Sequence, residues 1–173
     1  MAQTSYASRL RYLDAKDLDN SVVNFNRLDV RGSDGTKLGD VDGFLVDGSS
    51  GRVLYTVVDS GGWFRSRRFL LPIGHATVDR NAGALNVDVS RDRLTSYPEF
   101  DEGRFTSFSD EDFRTFDTAM AAECCPDDEA IDPTSGPDAR RHYKQPDWWT
   151  SNAYLPERLR PVNGGDELPP HAV

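Results

Sequence analysis

The sequence lacks several features that would assign a function directly. Its 173 residues include only two cysteines, three histidines and two methionines, and its apolar runs are short, as at Phe69-Leu70-Leu71, which Pro72 ends. A membrane-spanning helix needs about 20 mostly apolar residues, so we expect no span. The N-terminus has no apolar stretch behind its charges, so we expect no secretory signal.

The cysteines also argue against a metal or redox centre. Cys124 and Cys125 are adjacent, and a disulfide between neighbouring residues is strained. A zinc site would need further ligands, but His75, His142 and His171 do not stand at ligand spacing. We therefore expect reduced thiols in a cytoplasmic protein, no metal and no cofactor.

Charge is distributed unevenly along the chain. The formal net charge is −9, yet the first 100 residues carry 13 basic and 13 acidic side chains, whereas the last 73 carry 7 basic and 16 acidic ones. An acidic chain repels phosphate backbones, so we expect no nucleic-acid partner. This also argues against an RNA-associated maturation factor.

The middle of the chain has the sequence pattern of a small, mainly β domain. Short apolar stretches alternate with clusters of glycine, aspartate and serine, as at Ser33-Asp34-Gly35, where Asp-Gly favours a turn. So short a sheet hides its edges best by curling into a small barrel or sandwich. The six predicted strands are 28–30, 41–47, 52–60, 69–71, 75–79 and 84–89.

A helix is predicted after the barrel. Ser109 is suited to cap it, and acidic residues in the first turn suit the helix dipole. Phe113, Phe116 and Met120 then define one apolar face. The predicted organisation is an N-terminal arm that lies on the domain (1–26), with a helical turn around Ala15–Leu18, then the barrel (27–98), a linker and helix (99–125) and an extended tail (126–173).

The tail combines prolines with large aromatic residues. Eight of the ten prolines follow residue 125, and they interrupt any regular helix or strand. Disordered linkers are usually poor in aromatics, so the tail is suited to lie against a surface, either its own barrel or a partner. Its aromatic anchors include Tyr143, Trp148, Trp149 and Tyr154.

The order of the glycine and proline residues along the chain resembles that of a PRC-barrel domain. This is the family of the cytoplasmic barrel in the photosynthetic reaction centre H subunit. The resemblance extends over about residues 24–122. One departure is Gly43, where the family often has aspartate and where we expect a looser turn contact. The segments that carry the resemblance are Gly35-Thr36-Lys37-Leu38-Gly39-Asp40-Val41-Asp42-Gly43-Phe44-Leu45-Val46-Asp47, Gly51-Arg52-Val53-Leu54-Tyr55, Leu71-Pro72-Ile73-Gly74, Leu85-Asn86-Val87 and Tyr97-Pro98.

This resemblance implies a non-catalytic docking module. In the H subunit, the barrel covers the cytoplasmic face of the membrane subunits, and related stand-alone barrels occur in many bacteria. The chain itself has no nucleophile elbow and no phosphate-binding glycine loop. His75 follows Pro72-Ile73-Gly74, and both a proton-relay role and a hydrogen-bonded structural role are open.

Two clusters are candidates for partner binding. The first contains Trp63, Phe64, Arg65, Arg67 and Arg68. It would contact an acidic protein surface or acidic lipid head groups, although a solvated strand edge is an alternative.

The second cluster lies in the tail, where arginines are followed by the tryptophan pair. Trp, Tyr and Arg dominate interface hot spots because they bury a large area and keep a polar group. The alternative is that the tryptophan pair folds back on the barrel. The residues of this cluster are Arg140, Arg141, Tyr143, Trp148, Trp149 and Tyr154.

The sequence thus predicts a binding or assembly subunit that is peripheral on the cytoplasmic side of a membrane. Its most specific form is an accessory or H-like subunit of a photosynthetic reaction centre or light-harvesting complex, with an H-type subunit and antenna polypeptides as partners. The alternative is a stand-alone stress-response or regulatory barrel that forms a soluble homo-oligomer.

Overall fold

The fold is a single curled β-sheet with two helices in the part of the chain that the structure describes. This computed structural model describes residues 10–18, 24–47, 51–61, 68–79, 81–97, 109–124, 144–146, 148–149 and 160–161. The strands are β1 (Leu10–Asp14), β2 (Asp29–Arg31), β3 (Lys37–Asp47), β4 (Val53–Asp59), β5 (Arg68–Pro72), β6 (Ala76–Asp79), β7 (Ala84–Val87) and β8 (Arg160–Pro161). The helices are α1 (Arg91–Leu94) and α2 (Asp110–Cys124), and single 3₁₀ turns lie at Ala15–Asp17 and Ile73–His75.

The strand order brings the two ends of the sheet together. The main path runs β5-β4-β3-β2-β7-β6. Its end strands, β5 and β6, are consecutive in the chain and are joined by the turn Ile73–His75. The sheet therefore curls back on itself, as expected for a small barrel that limits its exposed edges.

Strand β3 is the centre of this arrangement. On one edge it pairs with β2 through its first half and with β1 through its second half, and on the other edge it pairs with β4. Two register shifts interrupt the β3–β4 ladder, and such bulges bend a strand sharply. One strand of 11 residues thus connects both halves of the barrel.

Two glycines allow the neighbouring chains to approach β3. A Cβ atom on Gly39 would lie 2.1 Å from the carbonyl oxygen of Asp59. A Cβ atom on Gly43 would lie 2.5 Å from the ring of Tyr12 and 2.6 Å from the carbonyl oxygen of Leu13. The expected loose turn at Gly43 is wrong, because this residue lies inside β3, where only hydrogen leaves room for β1.

The core is one continuous cluster of apolar side chains. All seven residues of β4 are buried, which is typical of a strand covered on both faces. Tyr55 and Phe44 are among the largest fully buried side chains, and the ring of Phe116 packs edge-on against Tyr55 at 6.1 Å. Helix α2 therefore closes the core at β4.

Helix α2 is fixed at both ends. Ser109 Oγ accepts a hydrogen bond from the Asp112 amide, and an Asp112 carboxylate oxygen accepts one from the Ser109 amide, both at 3.1 Å. This reciprocal pair is a capping box. At the other end, the Arg93 guanidinium donates to the carbonyl oxygen of Glu123 at 2.7 and 2.9 Å. The predicted cap is confirmed, and Phe113, Phe116 and Met120 are buried as predicted.

The mainly β fold is confirmed, and β2–β7 correspond to the six predicted strands. The expected arm needs correction, because β1 pairs with β3 and β8 pairs with β1. Leu10 and Leu13 are buried in the barrel core, so β1 is part of the barrel. Strand β1 escaped detection because its buried residues are three apart, whereas a half-buried strand normally alternates. Strand β3 begins at Lys37 rather than at the predicted residue 41.

Replacing Gly39 with alanine should be much more costly than the same change at Gly35. Both glycines have positive φ, +157° and +82°, but a Cβ atom on Gly35 meets nothing within 4 Å. Gly35→Ala should therefore lower the free energy of unfolding only by the left-handed backbone cost of about 1–2 kcal/mol. Gly39→Ala adds the clash with Asp59 and should cost at least about 3 kcal/mol. Urea unfolding measures both, and equal losses would contradict the proposed close approach of β3 and β4.

Candidate functional site

The described tail residues 144–146 and 148–149, here called the hook, lie against the barrel at the beginning of β4. The hook turns on itself, since the amide of Trp149 donates to the carbonyl oxygen of Pro146 at 3.1 Å. Trp148 and Trp149 are partly buried and pack against the core cluster. The tail thus returns to its own barrel here, which is one of the two arrangements considered for the tryptophan pair.

Gln145 occupies a place that a strand would otherwise fill. Strand β5 reaches only as far as Pro72, which pairs with Tyr55 of β4, so β5 ends before Val53. The Gln145 carboxamide accepts a hydrogen bond from the Val53 amide at 2.9 Å and donates one to the Val53 carbonyl oxygen at 2.7 Å. A carboxamide carries both a donor and an acceptor, and it therefore continues the ladder of β4.

The tryptophan pair forms an aromatic cluster with two barrel residues. Trp148 lies 5.0 Å from Phe25, and Trp149 lies 5.6 Å from Phe44, between ring centroids. Trp149 also donates its indole N–H to the carbonyl oxygen of Gly51 at 2.9 Å. Tilted and edge-on aromatic pairs at these separations contribute about 0.5–1.5 kcal/mol each beyond the buried area.

An open cleft of about 970 Å³ lies beside the hook. Its walls are β6, the turn before it, and the hook. Trp148 lines this cleft, and its indole nitrogen is buried without a hydrogen-bond partner among the described residues. A buried donor without a partner is costly, so Trp148 has an unsatisfied polar group next to the cleft. The lining residues are Ile73, Gly74, Ala76, Thr77, Val78, Asp79, Asn81, Asn86, Lys144, Gln145, Pro146 and Trp148.

Arg68 begins β5 and belongs to a polar cluster with Tyr12 and Asp42. The Tyr12 hydroxyl donates to the Asp42 carboxylate at 2.5 Å, and the Arg68 guanidinium lies 3.5 Å from that same carboxylate oxygen. Burial, and then the hydrogen bond and negative charge of Asp42, raise the pKa of Tyr12 well above its ordinary value of 10.0. Arg68 therefore has an acidic partner on its own barrel.

A second polar network holds β2, β3 and β4 together. Arg27 has a φ of 60°, and its guanidinium lies 3.0 Å from Asp40 and 3.4 Å from the nearly buried Asp59. Lys37 lies 3.1 Å from both Asp29 and Asp40, whose hydrogen bonds raise the pKa of the lysine. Exposed ion pairs contribute little individually, so the network chiefly fixes the geometry of these strands.

His75 is hydrogen-bonded to Asp88 through its Nδ1 atom, as the structural alternative for this histidine expects. Of the predicted partner-binding residues, the structure describes Arg68, Trp148 and Trp149, and it places Arg68 apart from the hook. The backbone of Cys124 ends α2, and Cys125 lies outside the described residues. So do Trp63, Phe64, Arg65, Arg67, Arg140, Arg141, Tyr143 and Tyr154.

Sequence reasoning missed Gln145, Tyr12 and Asp42. Gln145 bonds to a residue 92 positions away, and no local pattern reports such a contact. The nearest signal was Pro146 followed closely by two tryptophans, because bulky anchors beside a proline favour a docked segment. Tyr12 and Asp42 meet only because β1 pairs with β3.

Comparison with known proteins identifies this small β-barrel. The PRC-barrel domain family matches residues 19–95, a range that includes β2–β7 and α1. The chain therefore carries a PRC-barrel domain, as the resemblance implied, while β1, α2 and the hook lie outside the match.

One relative is an uncharacterized protein of Deinococcus radiodurans, which is 34% identical over 82 residues. The match takes in 47% of this chain and 30% of the relative. Among the described residues, no helix has the length and apolar character to cross a membrane.

Gln145→Ala should loosen the hook without unfolding the barrel. It removes two hydrogen bonds to Val53 and should lower the free energy of unfolding by about 1–2 kcal/mol. Lys144→Ala is the matched control, because Lys144 is exposed, and it should change stability by less than about 0.5 kcal/mol. Urea unfolding checks both. Equal effects would show that the carboxamide does not hold the hook.

The Tyr12 hydroxyl should make the protein less stable at alkaline pH. Above pH 10 the unfolded chain loses this proton while the folded protein keeps it, so the free energy of unfolding falls as pH rises. One such tyrosine contributes at most about 1.4 kcal/mol per pH unit. Tyr12→Phe should make the fall shallower, in urea titrations at pH 9, 10 and 11. Tyr97, whose pKa burial also raises, remains in both proteins, and identical slopes would contradict the assignment.

Proposed function

We propose that the protein is a non-catalytic binding and assembly subunit whose PRC barrel docks on a larger membrane complex from the cytoplasmic side. Two features support this proposal: the interior of the barrel is filled, and an open cleft beside the hook is lined by the end strand β6. The second is the observation that carries the proposal.

The interior of the barrel is filled with side chains, which indicates a binding site on its surface. Val30, Leu38, Val57 and Leu85, which come from four different strands, each have 0% exposure. Side chains occupy the space that a substrate would need inside a barrel of this size. We therefore place the function on the outside of the barrel.

The cleft beside the hook is the surface that best suits a protein partner. The main strand path ends at β6, so β6 lines the cleft with an edge that has no second strand among the described residues. An extended peptide can add to such an edge through main-chain hydrogen bonds. The exposed Lys144 adds a positive charge beside it.

The specific form of the proposal is an accessory or H-like subunit that stabilises a photosynthetic reaction centre or light-harvesting complex. The supporting features are the PRC-barrel match and the resemblance of the barrel and its following helix to the H subunit. Its partners would be an H-type subunit, antenna polypeptides and acidic lipid head groups.

One observation favours a second candidate, a stand-alone stress-response or regulatory protein that acts as a homo-oligomer. The tryptophan pair is packed against its own barrel, so these anchors are covered without any partner. A chain expressed alone that is monodisperse in sedimentation, with a hook resistant to proteolysis, would support this candidate.

A pull-down with a blocked cleft tests the docking proposal. The tagged full chain should recover integral-membrane subunits from detergent-solubilised membranes of its source organism. Asn81→Arg places a large side chain at the cleft wall, and it should reduce recovery at least about tenfold, since a bulky charge at the centre of an interface costs several kcal/mol. Thr118→Arg on α2, an exposed residue that does not line the cleft, is the matched control and should leave recovery unchanged.

Two outcomes would count against the proposal. Failure of the wild-type chain to recover any integral-membrane protein would contradict docking on a membrane complex. Equal loss with Asn81→Arg and Thr118→Arg would contradict the assignment of the cleft as the contact surface.

A further inference from the structure

We propose that the surface beneath the hook is a peptide-binding site, which recognises a carboxamide side chain followed four residues later by tryptophan. In the structure, the hook is the intramolecular ligand of this site. A partner peptide of the same chemistry would bind in trans once the hook is released. The inference deepens the proposed docking function and rests on it, but it concerns a different surface from the cleft.

The first part of the site is the free backbone at the beginning of β4. Because β5 pairs no further than Tyr55, the N–H and C=O of Val53 are available to an extended ligand. Gln145 uses both groups at once. An ionised glutamate has no donor and would place a negative charge against the Val53 carbonyl oxygen. The site therefore selects glutamine over its nearly isosteric acid.

The second part is an aromatic seat with a polar end. Phe25 and Phe44 receive the two indoles at centroid distances of 5.0–5.9 Å. The Gly51 carbonyl oxygen accepts the indole N–H of Trp149, which selects tryptophan over phenylalanine. Two anchors, four residues apart on a short turn, together define the spacing that the site recognises.

The hook carries its recognition groups within a few residues. A hydrogen bond within the hook closes the turn from Pro146 to Trp149. The side chains of the hook make the contacts with the barrel, at Phe25, Phe44, Gly51 and Val53. These contacts require only the side chains of the hook, so a segment of another molecule with the same side chains could form them.

The tether explains why the site is filled in the single chain. A ligand that belongs to the same chain competes at a high effective concentration. A free peptide therefore competes poorly with the hook in the wild-type chain. It should bind with its intrinsic affinity when the hook is weakened, which predicts a large difference between two otherwise identical proteins.

The test measures binding of a labelled synthetic peptide, residues 142–151, to full-length chains by fluorescence anisotropy. The release variant, Gln145→Glu with Trp149→Ala, should bind this peptide at least about tenfold more tightly than the wild type. Gln145→Glu alone should be intermediate, because it keeps both indoles. Thr118→Ala, at an exposed residue of α2, is the control and should bind like the wild type.

A second peptide, with glutamate in place of Gln145, should bind the release variant at least about tenfold more weakly. Circular dichroism must show that the release variant is folded, and Gln145→Glu alone provides the test if it is not. Equal binding of the first peptide by wild type and folded variants, or equal binding of both peptides, would overturn the inference. If this test fails while the pull-down still recovers a complex that Asn81→Arg loses, docking at the cleft stands without a peptide site under the hook.

Discussion

The structure depends on the close approach of three chain segments to β3. Strand β3 holds β1 and β2 on one edge and β4 on the other, and both contacts require glycine. At Gly39 the carbonyl group of Asp59 occupies the space of a side chain, and at Gly43 the ring of Tyr12 does so. Because β3 determines where β1 and β4 lie, it also places Phe44 and Val53, the residues on which the hook rests.

The hook completes a barrel that its own strands leave unfinished. β5 stops at Pro72, since proline cannot donate a ladder hydrogen bond. On this edge, the beginning of β4 is left without a neighbouring strand among the described residues. Gln145 supplies the missing donor and acceptor, and the indoles cover Phe25 and Phe44. A surface that one peptide segment completes in this way can accept another of the same chemistry. The proposed peptide site therefore has its origin in the short β5.

The sequence predicts what depends on local pattern. Turn residues between short apolar stretches predicted the positions of β2–β7. The position of α2 was predicted from Ser109 and from the apolar face of Phe113, Phe116 and Met120. The PRC-barrel resemblance came from the spacing of glycines and prolines. What the sequence could not predict depends on distant contacts. Strand β1 lacks the alternation of a half-buried strand. The predicted start of β3 at residue 41 left out Gly39, whose role depends on the distant carbonyl group of Asp59. The tryptophan pair was recognised as an anchor, but its seat on Phe25, Phe44 and Gly51 requires the folded barrel.

The central claim is that the hook is a releasable ligand on a barrel held together by β3. Native-state amide hydrogen exchange tests it most directly, by comparing Val53, whose N–H is bonded to Gln145, with Val57 in the middle of β4. The account predicts that the Val53 amide exchanges faster than the Val57 amide, by local opening, and that Gln145→Glu accelerates Val53 alone. Equal exchange at both amides, accelerated together by the substitution, would contradict the account, because the hook would then open only when the barrel unfolds.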